Sequence, residues 1–246
     1  MKDTPFTVTS IERKTSDVFR IDLEGDARNI RAPGQFVNLT IPGLYLRRPI
    51  SVCDWSDRSL TLLVREVGTG TRRLAEARPG DRFDVLLPLG NGFDPAACGK
   101  RPVLAGGGIG IAPLYALAKR MLEAGRDPDV ALGFRNRKDT FFTDEFRALG
   151  LRVHVATEDG SAGVKGFVTD AIRGAVPDPD TIFACGPMPM LRALHAAFPA
   201  AGGQYSFEAR RGCGFGACVG CTIQTRKGLA RVCKEGPVFD PEDIPW

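Results

Sequence analysis

The chain has 246 residues, of which 43% are hydrophobic and 25% are charged, and its 33 basic and 29 acidic side chains leave a net charge of +4. The length is enough for two domains with separate cores. The composition excludes a disordered or fibrous protein, and the nearly balanced charge does not indicate nucleic-acid binding. The longest uncharged run, Val103 to Ala118, is too short and too rich in glycine to span a bilayer. No apolar signal region opens the chain, so we expect a cytoplasmic location, where cysteines stay reduced.

The first hundred residues consist of short runs that are rich in β-branched and aromatic residues and are bounded by turn-forming residues. FTVTSIERK, VFRIDLEG, GQFVNLTIPG and SLTLLVREVG are examples. Their spacing predicts a β-barrel or a sandwich. One helix is expected in TRRLAEARPGD, before the chain returns to strand character in RFDVLLPLG.

From about residue 100 the pattern changes to alternating strands and helices. RPVLAGG, PDVALGFRN, LRVHVATEDG and DTIFACG are predicted strands, and they alternate with amphipathic helical segments such as APLYALAKRMLEAG. This alternation predicts a doubly wound α/β domain with a parallel sheet. We therefore expect three units: a β-barrel domain at 1–99, an α/β domain at 100–205, and a glycine- and cysteine-rich segment at 206–246.

Four cysteines are crowded into that last segment. Cys213, Cys218 and Cys221 have the spacing C-x4-C-x2-C, and Cys233 follows after a further gap. This is the spacing of a plant-type [2Fe-2S] site, in which one loop provides three thiolates and a later strand the fourth. The glycines between the cysteines allow the loop to wrap closely around a cluster.

Other interpretations of the cysteines remain open. A structural zinc ion is an alternative, although such sites usually contain two close C-x2-C pairs and this chain has one. Disulfides are less consistent with a reducing compartment. Cys53, Cys98 and Cys185 stand apart in the sequence and are expected to be small buried residues.

Two further stretches are candidates for phosphate binding. LAGGGIGIAPL follows a predicted strand and precedes a helix, where glycines allow the backbone to approach a pyrophosphate. The spacing of its glycines differs from G-x-G-x-x-G, and a tight strand-to-helix turn is the alternative. In the first domain, LRRPISVCD and REVGTGTRRLAE could clamp a second pyrophosphate, or they could be surface charges and a plain helix cap.

The order of these motifs resembles the ferredoxin-NADP reductase superfamily, whose barrel holds FAD and whose second domain holds a pyridine nucleotide. The terminal EARRGCGFGACVGC…VCKEGPVFD is similar to the electron-transfer subunits of class 1B dihydroorotate dehydrogenases, which carry FAD and a [2Fe-2S] cluster. The resemblance extends over essentially the whole chain. It implies an FAD-binding barrel, an NAD-binding α/β domain and a C-terminal cluster-binding segment.

The resemblance also assigns residues to each cofactor. The superfamily often has an aromatic residue at the position of Pro49, so this chain follows the subunit branch there. Ser51 is implied to lie near the reactive edge of the flavin, and Cys185 to line the nicotinamide pocket. The implied FAD residues are Arg48, Pro49, Ile50, Ser51, Gly68, Thr69, Gly70 and Thr71; the NAD residues are Gly106, Gly107, Gly108, Gly110, Cys185, Gly186 and Pro187; the cluster ligands are Cys213, Cys218, Cys221 and Cys233.

The function implied by the resemblance is electron transfer in de novo pyrimidine (UMP) biosynthesis. Electrons arise on the FMN of a partner subunit that oxidises dihydroorotate, and they pass through the cluster and FAD to NAD⁺. The expected assembly is a heterotetramer with two copies of each subunit, without nucleic acid or membrane. No catalytic residue is expected in this chain, and the two histidines, His154 and His195, are expected to be structural.

Two rival functions and the nucleotide choice stay open. A subunit of the same build could serve another catalytic partner, such as a sulfur- or ferredoxin-linked reductase. A zinc-ribbon module fused to a nucleotide-sensing domain would transfer no electrons. Arg135, Arg137 and Lys138 follow a predicted strand and could accept the 2′-phosphate of NADP, although the resemblance favours NAD.

Overall fold

The computed structural model describes all 246 residues, and its N-terminal part is a closed six-stranded antiparallel barrel with strand order β1-β2-β5-β4-β3-β6. The strands are β1 (Lys2–Arg13), β2 (Val18–Glu24), β3 (Phe36–Leu39), β4 (Arg48–Trp55), β5 (Ser59–Arg65) and β6 (Arg82–Leu89). Burial alternates along β6, where Phe83, Val85, Leu87 and Leu89 are buried and the residues between them are more exposed. This period of two places one face of each strand in the barrel core. The predicted barrel is confirmed.

A short helix, α1 (Thr69–Ala75), connects β5 to β6. The Thr71 hydroxyl accepts hydrogen bonds from the backbone N–H groups of Val67 and Gly68, at 2.9 and 3.2 Å, and thereby fixes the first turn. Leu74 is fully buried and anchors the helix on the barrel core. The GTGT stretch is therefore a rigid turn at one end of the barrel.

The rest of the chain builds a seven-stranded sheet and a separate hairpin. The strands are β7 (Pro102–Gly107), β8 (Asp129–Phe134), β9 (Val153–Thr157), β10 (Val164–Lys165), β11 (Thr181–Cys185), β12 (Gly202–Ser206), β13 (Thr222–Thr225), β14 (Gly228–Arg231) and β15 (Val238–Phe239). The sheet has the order β10-β9-β8-β7-β11-β12-β15, and β13 pairs with β14 alone. All neighbours in the sheet are parallel except β12 and β15.

Helices cover both faces of this sheet. They are α2 (Ala112–Glu123), α3 (Thr143–Ala148), α4 (Val168–Ala175) and α5 (Met188–Ala197). One core contains α2, α3 and Leu104, whereas a second core contains α4, α5 and the adjacent β7 residues Val103 and Ala105. Alternate residues of one central strand thus point into different cores, as in a doubly wound sheet. The predicted α/β fold is confirmed.

The C-terminal segment contains structure that the sequence pattern did not indicate. Its short strand β15 pairs antiparallel with β12 and closes the edge of the sheet. The hairpin β13–β14 and the strands β10 and β12 of the main sheet were not predicted. Two- to five-residue strands contain too few alternations to produce a periodic pattern.

The barrel and the sheet share a continuous apolar contact. Val18, Cys53 and Leu63 of the barrel lie in the same core as the side chains of α2 and α3. Two ion pairs cross the junction, Lys119 with Asp54 at 2.6 Å and Lys14 with Glu145 at 2.9 Å. None of the helices combines the length and apolar character needed to cross a membrane.

Candidate cofactor sites

The four C-terminal cysteines follow β12: Cys213, Cys218 and Cys221 precede β13, and Cys233 comes just after β14. Cys221 and Cys233 are buried, whereas Cys213 and Cys218 are partly exposed. Two hydrogen bonds link the cysteines in pairs. The backbone N–H of Cys218 donates to Cys213 Sγ, and that of Cys233 donates to Cys221 Sγ, both at 3.4 Å. None of the seven cysteines forms a disulfide.

The pKa values of two thiols of the loop, Cys213 and Cys233, are shifted in opposite directions. Burial raises the pKa of Cys213, but backbone N–H groups of Cys218, Phe215 and Gly216 outweigh burial and lower this pKa to about 6. Burial and the neighbouring Cys221 raise the pKa of Cys233 to about 12. Cysteine binds a metal as a thiolate. Cys213 is therefore readily deprotonated, whereas the buried Cys233 requires a metal to lose its proton.

The paired arrangement separates the two metal interpretations. The chain contains one C-x2-C pair, Cys218 and Cys221, whereas structural zinc sites usually contain two. A zinc site would bring four ligands to one centre, whereas each iron of a [2Fe-2S] cluster takes two thiolates. The donor set therefore fits an iron–sulfur cluster better than a structural zinc ion.

The barrel holds the cysteine loop through a residue that the sequence interpretation missed. Asn38 is buried on β3, and its Nδ2 donates to the backbone carbonyl of Cys213 at 2.9 Å. Gly214 has a φ of 78°, and a Cβ at this position would overlap the Asn38 amide. The only sequence signal for Asn38 is that it is a polar residue inside the apolar run FVNL.

The RPIS and GTGT stretches meet at the end of the barrel. The Arg48 guanidinium lies against the backbone of Gly70, where a Cβ would overlap it, and donates to the Leu46 carbonyl. Arg47 is paired with Asp3 at 2.6 Å, but Arg48 has no carboxylate partner. An unpaired guanidinium beside a turn of backbone N–H groups fits a phosphate group.

The other barrel residues named from the sequence lie in the same region. Pro49, Ile50 and Ser51 are half-buried on β4 and pair with β3, with Ser51 opposite Phe36. Gly68, Thr69 and Thr71 form the start of α1. The structure thus places all eight named barrel residues on β4 or in the turn that opens α1.

A cavity of about 570 Å³ opens at the carboxyl ends of β7 and β8. Gly107, Gly108 and Pro187 line it. Gly106, Gly110, Cys185 and Gly186 are not in the lining but lie behind it. A Cβ on Gly110 would overlap the Cys185 carbonyl and lie 2.8 Å from Gly186 Cα. Gly110 therefore permits close packing of the two loops, and the Cys185 thiol is buried instead of facing the cavity.

Arg65 is a second residue that the sequence interpretation missed. It is the last residue of β5, lines the cavity, and its guanidinium approaches Gly108, with Nη2 3.1 Å from the position of a Cβ there. Its Nε is buried without a hydrogen-bond partner, although Asp17 Oδ2 lies 3.4 Å away. Because a buried unpaired donor is unfavourable, the atom fits an anionic ligand. The available signal was its place in REVGTGT, three residues before Gly68.

Two of the three basic residues after β8 already have partners within the protein. Arg135 pairs with Asp139 at 2.8 Å, and Arg137 Nε donates to the Ser161 carbonyl at 2.8 Å. Arg135, Asp139 and Glu158 all line the cavity. Two carboxylates near one paired arginine suit a ribose hydroxyl better than an additional phosphate.

Both histidines make contacts remote from this cavity's lining. His154 Nε2 lies 2.7 Å from Asp129 Oδ1, and the ring of His195 stacks on Trp246 with centroids 5.0 Å apart. Neither side chain lines the cavity.

Comparisons with known proteins match both regions. Residues 208–245 match the family described as the iron-sulfur cluster binding domain of dihydroorotate dehydrogenase B. Residues 104–196 match the oxidoreductase NAD-binding domain. The matched segments contain, respectively, all four paired cysteines and the glycine-lined cavity loop.

Whole-chain relatives cover nearly the full sequence. The dihydroorotate dehydrogenase B (NAD(+)) electron transfer subunit of Geobacillus sp. (strain WCH70) is 41% identical, over 99% of this chain and 99% of its own. The subunit of the same name from Bacillus caldolyticus is 42% identical, over 97% and 96%. Among solved structures, an NADH-dependent reduced ferredoxin-NADP oxidoreductase has a TM-score of 0.87 and 30% identity, covering 98% of this chain and 90% of that one. Phthalate dioxygenase reductase shares the fold, with a TM-score of 0.64 and 22% identity over 80% of this chain and 64% of that one.

Proposed function

The chain belongs to the family of dihydroorotate dehydrogenase B electron transfer subunits, and we propose that it conducts electrons from a dihydroorotate-oxidising partner subunit to NAD⁺. The observation that carries the proposal is the junction of three sites in one chain. The paired cysteines, Arg48 and Arg65 of the barrel and the glycine-lined cavity lie around the contact between barrel and sheet. FAD, a [2Fe-2S] cluster and NAD are the cofactors of this arrangement.

The cofactors supply the redox chemistry: a flavin exchanges hydride with a nicotinamide and single electrons with an iron–sulfur cluster. The protein binds and orients them. Electrons enter from the FMN of the partner and leave as reduced NAD, which is the step that serves pyrimidine biosynthesis. No side chain of this chain is assigned as a general acid or base.

Cys213, Cys218, Cys221 and Cys233 hold the cluster in this proposal. The N–H groups that already donate to Cys213 and Cys221 stabilise negative charge on the sulfurs. Asn38 fixes the position of the loop relative to the barrel.

Arg48 and the start of α1 hold FAD, with Pro49, Ile50 and Ser51 beside the ring. Arg48 has no competing carboxylate, and Gly70 leaves space for its guanidinium at the turn. We add Arg65 to this set as a cation between the barrel and the nucleotide cavity. Its guanidinium has further N–H groups, beyond the Nε that faces Asp17, to which a phosphate oxygen would bind.

The cavity lined by Gly107, Gly108 and Pro187 binds the pyridine nucleotide. Gly106, Gly110, Cys185 and Gly186 shape it from behind by bringing two loops into contact. NAD is the nucleotide we expect, since Arg135 is neutralised by Asp139 and Glu158 stands nearby. A preference for NADP(H) in steady-state assays would refute this choice.

The division at 1–99, 100–205 and 206–246 is part of the same proposal. Its support is that the last barrel strand ends at Leu89, the first sheet strand begins at Pro102 and β12 ends at Ser206. The third unit is not independent of the second, because β15 pairs with β12. A cytoplasmic location is also proposed, on the basis that all seven cysteines are free thiols.

The partner is proposed to be an FMN-containing catalytic subunit, with two copies of each subunit in the assembly. Phe215 and Val219 are exposed beside the cysteines, at 43% and 76%. Exposed apolar side chains next to an electron-transfer centre suit a docking surface. Phe215→Glu should weaken co-purification with the catalytic subunit while FAD stays bound, whereas Val164→Glu, at an exposed apolar residue on β10, should not. Equal association of both variants would count against this interface.

The function is tested by co-expressing the chain with the catalytic subunit and purifying the complex anaerobically. We expect two irons, two sulfides and one FAD per chain in roughly whole-number ratios, together with dihydroorotate-dependent reduction of NAD⁺. Cys213→Ser should abolish this reduction, and Cys98→Ser, which changes a cysteine outside the loop, should preserve it. Cofactors without dihydroorotate activity would indicate a different catalytic partner, and zinc without flavin would refute electron transfer.

A further inference from the structure

Arg211 precedes the cysteine loop, and its side chain is directed into the protein. Its Cζ lies 4.4 Å from the centroid of the Phe36 ring on β3. Its Nη2 reaches the Phe207 carbonyl at 3.5 Å, and its Nε is buried without any hydrogen-bond partner. No carboxylate forms an ion pair with this guanidinium. The residue is a cation with little compensation from the protein itself.

The groups that act electrostatically on Arg211 belong to two of the sites. They are the thiols of Cys221, Cys233 and Cys185 and the carboxylate of Glu208, which lines the cavity. Phe36, on which the guanidinium stacks, is directly opposite Ser51 in the β3–β4 ladder. Arg211 is two residues before the cluster ligand Cys213 and stacks on Phe36, so it lies close both to the cluster ligands and to the stretch assigned to the flavin.

Such a charge needs an explanation, because burial of an unpaired cation is unfavourable. A guanidinium stays protonated at neutral pH even when it is buried. A [2Fe-2S] centre with four thiolates is negatively charged, and it becomes more negative on reduction. The cluster would supply the counter-charge that the protein does not.

We propose that Arg211 raises the reduction potential of the cluster by placing a fixed positive charge close to the cysteine loop and to the stretch assigned to the flavin. The proposal rests on the proposed function for the presence of both cofactors. In the step concerned, one electron enters the cluster, one ferric ion becomes ferrous, and no proton is taken up. The electron comes from NADH through the flavin, or from the partner subunit. Arg211 is a positioning charge and not a catalytic residue.

The test is a redox titration of the assembled complex, followed by electron paramagnetic resonance of the reduced cluster. Arg211→Met removes the charge and keeps the side-chain length, whereas Arg211→Lys keeps the charge. Arg226→Met removes a charge from the exposed turn of the same segment and is the matched control. Removal of the buried charge should make reduction of the cluster about tenfold less favourable, a fall of about 59 mV for a one-electron couple.

The lysine variant should keep most of the wild-type potential, and Arg226→Met should leave it unchanged, because surface charges are screened. A second readout is the fraction of cluster that NADH reduces at equilibrium, which should fall in Arg211→Met alone. Equal potentials in Arg211→Met and Arg226→Met would overturn the proposal. A lysine variant as low as the methionine variant would also overturn it, because packing would then explain the shift.

Iron, sulfide and FAD contents are measured on every variant. If Arg211→Met loses iron, Arg211→Gln, which keeps a donor for the Phe207 carbonyl, takes its place in the titration. A wild-type protein without iron or flavin would refute the proposed function itself. A wild-type protein with both cofactors, but with a potential insensitive to Arg211, would refute the present inference alone.

Discussion

Asn38 of the barrel donates a hydrogen bond from Nδ2 to the backbone carbonyl of Cys213, at 2.9 Å. The two residues are 175 positions apart in the chain, and the bond ties the first cysteine of the loop to strand β3. The Asn38 Oδ1 is buried without a partner. The amide therefore serves the loop mainly as a donor.

Asn38→Asp should loosen the cysteine loop, because it replaces the donor with an acceptor and places a charge at a buried position. A lost buried hydrogen bond costs about 1–3 kcal/mol, so we expect iron release to a chelator about tenfold faster or more. The rate is measured from the decay of cluster absorbance. Asn29→Asp makes the same chemical change in the turn before β3 and should release iron at the wild-type rate. Equal rates in both variants would show that this bond does not hold the loop.

Gly70→Ala should impair FAD binding, because the added methyl group would overlap the Arg48 guanidinium. Displacement of a charge-assisted phosphate ligand should weaken affinity about tenfold or more. The dissociation constant is obtained by titrating deflavinated protein with FAD and following flavin fluorescence. Gly174→Ala on α4, where a Cβ meets nothing within 4 Å, is the matched control. Wild-type affinity in Gly70→Ala would remove Arg48 from the FAD site.

The features that could be predicted from the sequence are those expressed in local spacing. The residues of the cysteine loop from Cys213 to Cys221, and the glycines before α2, are close to each other in the sequence, so their spacing is visible there. The alternation of strands and helices likewise indicates the parallel sheet. Both the fold class and the cluster chemistry therefore followed from short-range patterns.

The features that could not be predicted depend on distant parts of the chain. Asn38, Arg65 and Arg211 gain their roles from residues on other elements, namely Cys213, Gly108 and Phe36. The burial of Cys185 behind the cavity depends on the approach of Gly110, which is also a tertiary contact. A single sequence contains no periodic signal for such contacts.

The stability of the barrel should depend on pH through Asp22. Burial raises the pKa of this carboxyl, but hydrogen bonds from Thr61 and Ser10 and the ion pair with Arg20 outweigh burial and hold it below 3.8. A carboxyl with a lowered folded-state pKa stabilises the fold above its unfolded pKa, and this contribution is lost as pH falls through the folded value.

Asp22→Asn should therefore lower the melting temperature most near neutral pH, and the difference from wild type should shrink below pH 3.8. Both proteins carry the same cofactors, so the difference isolates Asp22. Asp57→Asn, in the exposed turn before β5, should have little effect on the melting temperature, both near neutral pH and below pH 3.8. A difference that grows as the pH falls would contradict the assigned direction of the pKa.

Gly110→Ala should separate nucleotide reactivity from flavin binding. The added Cβ would overlap the Cys185 carbonyl and approach Gly186 Cα to 2.8 Å, which forces the β7–α2 turn away from the loop after β11. These two loops shape the cavity from behind, while Arg48 and Gly70 at the barrel are untouched. We expect normal FAD and iron contents, together with a rate of flavin reduction by NADH that is at least about tenfold lower, since small misplacements of reacting groups are costly.

The measurement is stopped-flow absorbance of the flavin on mixing with NADH, beside reduction of the same protein by dithionite. Dithionite needs no nucleotide cavity, so it should reduce Gly110→Ala as fast as wild type and show that the flavin itself is intact. Gly174→Ala should behave as wild type with both reductants, because its Cβ points into open space. If NADH reduces Gly110→Ala at the wild-type rate, contact between these loops does not set the geometry of hydride transfer, and the lining residues Gly107, Gly108 and Pro187 must do so without support from Gly110.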